Sequence, residues 1–448
     1  MGRPSRIARR AFFGPREASP RAVLVVMCAG YFLVLLDVTI VNVALPQIGS
    51  GIGARVSGLQ WVVDGYALAL ASLMLAGGTI GDLHGHKRVV LSGLVVFGAG
   101  SLGCGAAPDV GVLVAARVVQ GMGAALLLPG TLAIISHAFP EGPEQAKAIG
   151  IWAGIGSLAL PAGPLVGGAL INGLGWRAIF FINVPIVLLS FFAALAIVHE
   201  STDRQGRSLD VRGIALGALT LFALTFAPIQ AGRSGVGSAP VIAAAIGAVV
   251  FLGALVVVER ARADDAMLPL GLFRFPGFSI ANGAAATMNL CTLGTLFVLT
   301  LFLQSVQRHS PLVAGLSIVP LFMPLAVLAP LAGRITSRVG SRLPVAVGLM
   351  VAAVGLALLQ LTQTGSSYFV LLPAFLLWGS GLGILTPAVV AAAIAAVPSE
   401  RAGLASAVNN TARQAGGAVG IAVAGSSAGE PGASGFLDGF HTVAVGSA

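Results

Sequence analysis

Leu36-Asp37-Val38-Thr39-Ile40-Val41-Asn42-Val43-Ala44-Leu45-Pro46 sets a carboxylic acid and an amide inside an apolar run long enough to cross a bilayer. An ionisable side chain within a spanning helix is rare and expensive; where one occurs it faces a cavity or a partner and marks an ion or substrate path. The rest of the chain must therefore supply Asp37 with company.

Composition fixes the class around this stretch. Of 448 residues, 56% are hydrophobic and 9% charged, against about 25% charged in a soluble domain, so the chain is an all-α polytopic membrane protein. A formal net charge of +9 could indicate a nucleic-acid partner. The basic residues instead lie in short clusters between apolar segments, with no single patch, which argues against one. Cys28, Cys104 and Cys291 are far apart, form no CxxC pair and lie in apolar segments, as small buried hydrophobes do.

Windows long enough to cross ~30 Å of hydrocarbon fall at 22–44, 59–80, 89–107, 111–136, 146–171, 178–198, 211–230, 239–258, 278–303, 312–333, 343–361, 368–394 and 402–425, thirteen spans in all. Before them, residues 1–21 form a basic arm with Arg3, Arg6, Arg9, Arg10, Arg16 and Arg21. Arg9-Arg10 before an apolar run has the look of a twin-arginine export signal, but no small-residue cleavage site follows, and the positive-inside rule accounts for the arginines. With this arm cytoplasmic, the loops on its side also carry Lys87, Arg88, Lys147, Arg204, Arg207, Arg212, Arg260, Arg262, Arg274, Arg334, Arg338, Arg342 and Arg401. The opposite loops carry only Arg55, Arg177, Arg233 and Arg308, while Arg117 and Arg413 fall within spans. This asymmetry supports both the spans and their orientation.

A repeat runs through the chain. Gly121, Gly123, Pro129 and Pro140 return at one constant offset as Gly379, Gly381, Pro387 and Pro398, and the loop residues Gly78, Gly85 and Lys87 return as Gly333, Gly340 and Arg342. Like loops on the same side make it a parallel repeat of six-helix units. The expected organisation is a first unit at 22–198, an inserted helix pair with its loops at 199–277, and a second unit at 278–448.

At ~1.5 Å per residue, Asp37 lies about 10 Å below the outer end of its span, Arg117 about 9 Å inside span four and Asp64 about 8 Å inside span two. Three charges at one level predict a cluster around a wet central cavity, with Arg117 attracting the carboxylates. An acid held between burial and a guanidinium can switch protonation, as proton coupling requires. The alternative is a permanent Asp37–Arg117 pair that only holds helices together. Arg117, Gln120 and Gly121 share a helix face. Asn42 is turned about 140° from Asp37, so Asp37 is expected to face inward and Asn42 to bond largely between helices. The candidate cavity residues are Asn42, Trp61, Tyr66, Gln120, Phe297 and Trp378. His84 and His86 form an HxH pair, but no metal site is expected.

Taken together, LDVTIVNVALP at 36–46, the Gly78–Arg88 loop, Arg117-Val118-Val119-Gln120-Gly121, Gly163-Pro164-Leu165-Val166-Gly167-Gly168 and Trp176-Arg177 with Phe181-Ile182-Asn183-Val184-Pro185 resemble the signature set of the fourteen-helix drug/proton antiporters of the major facilitator superfamily. QWVVDGYALALASL at 60–73 is similar to actinobacterial antibiotic-resistance exporters of the methylenomycin type. The resemblance implies the major facilitator fold, two six-helix units with two inserted helices. It also implies that the Gly78–Arg88 loop clamps the cytoplasmic face between the halves, with Gly78 and Gly85 in the turn, Asp82 as latch, and Lys87 and Arg88 as anchors. Gly163, Pro164, Gly167 and Gly168 would form the antiporter motif; without the resemblance they read as a packing seam.

Leu83 and Ala159 depart from that pattern, where the family commonly has arginine and glycine. After the thirteenth span too few apolar residues follow for another crossing, so the fourteenth helix is expected to be truncated and the C-terminus extracellular. The resulting expectation is a multi-pass plasma-membrane exporter, with no enzyme activity and no cofactor. It uses the proton gradient to drive amphipathic organic compounds outward by alternating access, and the lack of an acid in the spans of the second unit favours neutral or monocationic substrates over dications. The expected partners are a small drug-like substrate, protons and lipid, with the chain acting as a monomer. The alternatives are a truncated, impaired remnant and, less favoured, a membrane-embedded enzyme, for which no Ser/His/Asp set is evident at one level.

Overall fold

The computed structural model describes residues 19–139, 143–200, 210–262, 268, 270–397, 402–430 and 435–448, and these residues are all helix and connections, without strands. Arg3, Arg6, Arg9, Arg10 and Arg16 of the basic arm, together with Arg204, Arg207, Arg401, Pro140 and Pro398, lie outside the described residues. The first six helices are α1 (Pro20–Ile52), α2 (Val56–His84), α3 (His86–Ala106), α4 (Val110–Ala138), α5 (Pro143–Leu174) and the two-piece α6 (Ala178–Ile197). A hairpin follows, α7 (Val211–Ser234) and α8 (Ala239–Arg262). The last six are α9 (Pro276–Val306), α10 (Pro311–Val339), α11 (Arg342–Leu361), α12 (Tyr368–Ala395), α13 (Ala402–Ala428) and α14 (Phe436–Ser447).

Local chemistry sets several of these boundaries. Asp109 caps α4 by accepting from the Val112 amide at 3.0 Å, and Asp210 caps α7 by accepting from the Gly213 amide at 2.9 Å. Gly85 ends α2 with φ 103°, and its repeat counterpart Gly340 ends α10 with φ 81°, a region open to glycine without steric penalty. Packing repeats as well. A Cβ on Gly78 would stand 3.8 Å from Pro129, and one on Gly333 3.9 Å from Pro387.

The number of spans differs from thirteen. Among the described residues twelve helices, α1 to α12, are long and apolar enough to cross a membrane. Helix α13 has 27 residues but carries Asn409, Asn410, Arg413 and Gln414. It packs against α2, α7, α9, α12 and α14, and a helix so enclosed presents less of its surface to lipid. The stretch expected to start a fourteenth crossing is a 12-residue helix lying on α9, α11 and α13.

Within each half the helices pack on one another, and the halves meet along two seams, α5 with α10 and α2 with α13; the α7–α8 hairpin leans through α7 on that second seam. Between the halves lies a cavity of about 1380 Å³ that opens at the end of the bundle where Asp82, His86, Asp210 and Ile394 sit. At the opposite end the halves are shut. A Cβ on Gly168 of α5 would lie 2.6 Å from the Leu312 Cα of α10, so only glycine permits this approach, and the Gln304 amide donates to the Val43 carbonyl at 2.7 Å.

Candidate functional site

Asp37 is 0% exposed and Arg117 1%, and their side chains meet as the sequence leads one to expect: Arg117 Nη1 lies 2.5 Å from Asp37 Oδ2. Amides, a hydroxyl, a carbonyl and a ring gather around this pair. Gln120 donates to Asp37 Oδ1 at 2.8 Å and accepts from Arg117 at 2.7 Å, while Asn183 at the head of the second piece of α6 donates to Asp37 Oδ1 at 3.2 Å. The Ser101 hydroxyl of α3 accepts from both amides, at 2.9 Å and 3.3 Å. Arg117 Nε donates to the Val62 carbonyl at 3.0 Å, and its guanidinium lies 4.2 Å over the Tyr66 ring. Tyr66 in turn donates to the Val34 carbonyl at 3.4 Å. A buried ion pair is tolerable only when the remaining lone pairs and protons are met this fully. Gly121 makes the geometry possible by letting α4 touch the Tyr66 carbonyl of α2, where a Cβ would clash.

The network is buried inside the first unit and does not form part of the expected wet cluster around the cavity. Asp37 does not line the cavity, but its neighbours Leu35, Val38 and Thr39 do, so one layer of α1 separates the acid from the open space. Asp64 is at the same level but turned away. It is 0% exposed and neither carboxyl oxygen has a hydrogen-bond partner. Gln60, one turn earlier on α2, donates to the Ile421 and Ala422 carbonyls of α13 at 3.3 Å and 2.9 Å, and Ala67 and Leu68 pack on Ala418. These contacts put the Asp64 face of α2 in the seam between the halves.

The cavity wall also differs from the expected one, since none of Asn42, Trp61, Tyr66, Gln120, Phe297 and Trp378 lines it. Tyr66 and Gln120 belong to the acid network. Asn42 donates back to the Val38 carbonyl of its own helix at 3.2 Å, so it does not bond between helices. Trp61 packs beside Phe222 and Phe226 of the hairpin, and Phe297 and Trp378 are core residues with 0% exposure. The aromatic part of the wall is instead Tyr31 and Trp152, stacked at 3.8 Å, together with Phe322 of α10.

In the Gly78–Arg88 loop, Asp82 lies 3.3 Å from His86. Lys87 donates through its amide to Glu200 at 3.0 Å and through Nζ to the Leu195 carbonyl at 2.9 Å, and Arg88 lies 3.6 Å from Glu200. Here the anchors Lys87 and Arg88 hold the end of α6 in their own half. Gly163 and Gly167 press α5 onto Thr39 and Ile40 of α1, while Gly168 and the Pro164 carbonyl meet Leu312 and Gly315 of α10. The run is thus a packing seam on both sides. Ser101, Asn183, His86 and Glu200 are partners without prior assignment. Asn183 stands within one of the signature stretches, whereas nothing in the sequence distinguishes Ser101. Among the described residues no group of three or more His, Cys, Asp or Glu could hold a metal.

Two halves of transmembrane helices around a cavity open at one end, with a buried charge network beside it, define a multi-pass membrane transporter. The chain belongs to the Major Facilitator Superfamily, whose family model matches residues 27–421. It is 38% identical to the multidrug resistance protein Stp of Mycobacterium tuberculosis, over 89% of this chain and 74% of that protein. It is 33% identical to the tetracenomycin C resistance and export protein of Streptomyces glaucescens (94% and 78%) and 33% identical to the methylenomycin A resistance protein of Streptomyces coelicolor (92% and 86%). Its fold is similar to that of the nucleoside transporter NupG, with TM-score 0.70, 10% identity and coverage of 95% and 97%. The peptide transporter POT aligns with TM-score 0.71, 15% identity and coverage of 98% and 93%. The family carries transporters, not enzymes.

Proposed function

We propose that this chain exports amphipathic organic compounds, antibiotics among them, across the plasma membrane in exchange for protons. The observation that carries the proposal is the Asp37–Arg117–Gln120–Asn183–Ser101 network, one helix layer behind the wall of the 1380 Å³ cavity. The kinship to drug-resistance and export proteins supports the direction of transport. Lys87, Arg88, Arg260, Arg262, Arg334, Arg338 and Arg342 cluster at the open end, so the positive-inside rule makes this the cytoplasmic face and the conformation inward-facing.

In the proposed cycle the units 22–198 and 278–448 rock about the cavity, carrying the inserted pair with them. Closing the cytoplasmic end brings the Gly78–Arg88 loop, with Asp82, against the second half, and opening the other end parts the α5–α10 and α2–α13 seams. Asp64 then meets water. In the closed seam its carboxyl has no donor or counter-charge, and an unpaired buried carboxylate is far more costly than the neutral acid, so the seam accommodates Asp64 with its proton. Parting it lets that proton exchange with the outside. Asp37 exchanges its proton when substrate in the cavity displaces the helix layer that covers it, with Arg117 taking up the bonds that are released. No cofactor is involved, and one chain contains the whole path.

A second reading draws on the burial of the pair: Asp37 and Arg117 serve only to hold α1 to α4. Inverted vesicles separate the two. Under the coupling reading, addition of a transported compound from a panel of amphipathic aromatics of either charge collapses an imposed pH gradient, and Asp37→Asn abolishes the response in protein that still purifies as a monodisperse species. A full response in Asp37→Asn would leave only the structural role.

A further inference from the structure

The deep part of the cavity carries an uncompensated cation. Arg413 lies 11 residues into α13, about 16 Å along the helix, too far from the end for its side chain simply to reach the bundle surface, and it lines the cavity. Its Nε has no hydrogen-bond partner, and no ion pair among the described residues includes it. Among the described residues the two acids that line the cavity, Asp82 and Asp210, stand at its mouth with His86 at 3.3 Å and Arg262 at 3.6 Å. Asp37 and Asp64 lie behind the wall, the first already matched by Arg117. The potential inside the deep cavity is therefore positive.

The surroundings of Arg413 describe what it would hold. Tyr31 and Trp152 form a stacked pair on the wall, with centroids 3.8 Å apart and planes at 17°, and a flat aromatic body can lie on such a surface. Asn289, Asn410 and Gln414 line the same space and offer amide donors and acceptors. A guanidinium with free donors matches the paired oxygens of a carboxylate or enolate. An organic cation would meet the repulsion of Arg413 there, and an anion its attraction.

We infer that the preferred cargo is a planar aromatic monoanion whose ionised oxygen binds Arg413 and whose ring system lies against Tyr31 and Trp152. The inference rests on the exporter reading and narrows its substrate. It also reverses the preference for neutral or monocationic compounds drawn from the absence of acids in the second unit, because that expectation left Arg413 out. Charge bookkeeping follows. One anion outward against one proton inward moves the equivalent of two positive charges inward per cycle, so the membrane potential drives export as well as the pH gradient.

The test uses the full chain in nanodiscs of zwitterionic phosphatidylcholine and three probes of one shape: 9-anthracenecarboxylate, 9-anthracenemethanol and 9-(aminomethyl)anthracene as its ammonium ion. Binding is read by energy transfer from tryptophan to anthracene. The carboxylate is expected to bind roughly tenfold or more tighter than the ammonium ion. Arg413→Lys keeps that order, and Arg413→Gln reduces the difference to about twofold or less while the neutral alcohol still binds. The inference is overturned if the wild-type protein binds the ammonium ion as tightly as the carboxylate, or binds none of the three saturably. Persistence of the full preference in Arg413→Gln overturns it equally. If the variant does not fold, the wild-type order and Arg413→Lys decide. Binding needs no gradient, so a failed anion preference alongside Asp37-dependent proton release removes this inference alone. An intact preference without gradient-driven transport removes the exporter reading alone.

Discussion

Removing either member of the Asp37–Arg117 pair should be costly, and removing both should cost less than the sum. Asp37→Asn keeps a side chain of the same shape whose amide oxygen can still accept from Arg117, and the guanidinium retains the Val62 carbonyl at 3.0 Å, Gln120 at 2.7 Å and the Tyr66 ring at 4.2 Å. What is lost is the counter-charge of a buried guanidinium and one acceptor oxygen, so that the new NH2 group must face either Arg117 or the Gln120 and Asn183 amide donors. Arg117→Gln instead leaves Asp37 buried with the Gln120 and Asn183 amides at 2.8 Å and 3.2 Å and no cation. Breaking a buried pair in this way destabilises by about 3–5 kcal/mol. A double-mutant cycle on detergent-purified protein, read as thermal inactivation, should therefore show both single variants clearly destabilised. The double variant should be less damaged than the sum, with a coupling of about 0.5–3 kcal/mol. Additivity within about 0.5 kcal/mol would refute the claim that these two charges depend on each other.

Gly168→Ala would put a Cβ 2.6 Å from the Leu312 Cα; it should destabilise the closed end by about 1–3 kcal/mol and raise thiol-reagent access to a cysteine placed at Ser50. Gln304→Leu removes the 2.7 Å bond to the Val43 carbonyl, about 1 kcal/mol, and should raise the same accessibility to a smaller degree. Glu200→Gln weakens its contacts with Lys87 and Arg88 at the rim; because the Arg88 pair is solvated, thermal stability should fall by no more than about 1 kcal/mol. Asp64→Asn keeps a neutral group of like size in the α2–α13 seam, so it should leave folding intact, yet slow proton-driven transport in the vesicle assay.

Charge made the centre of the site legible from sequence. Asp37 and Arg117 are costly in an apolar helix, their depths match, and Gln120 follows Arg117 by one helical turn, so their association could be deduced before any coordinates. Ser101 and Asn183 carry no charge whose burial demands a partner, and their places in the network depend on how α3 and α6 pack around α1. The wall of the cavity was less legible, because which face of a helix turns to the gap is decided by its neighbours. Trp61, Phe297 and Trp378 satisfy the expectation of large aromatics at membrane depth but are taken up by the hairpin and the core. Tyr31 and Trp152, from two helices of the first unit, form the surface that was sought. Helix α13 illustrates the converse: enclosure by α2, α7 and α9 allows a polarity that a count of apolar windows cannot anticipate.

The central claim is that Asp37 couples proton movement to transport and does more than brace α1 against α4. Proteoliposomes containing Asp37→Asn, loaded with a compound that the wild-type protein accumulates against its gradient, test it in one preparation. Exchange of labelled for unlabelled compound without any pH gradient should persist, while gradient-driven accumulation should disappear. Accumulation at the wild-type level, or loss of exchange together with accumulation, would contradict the account.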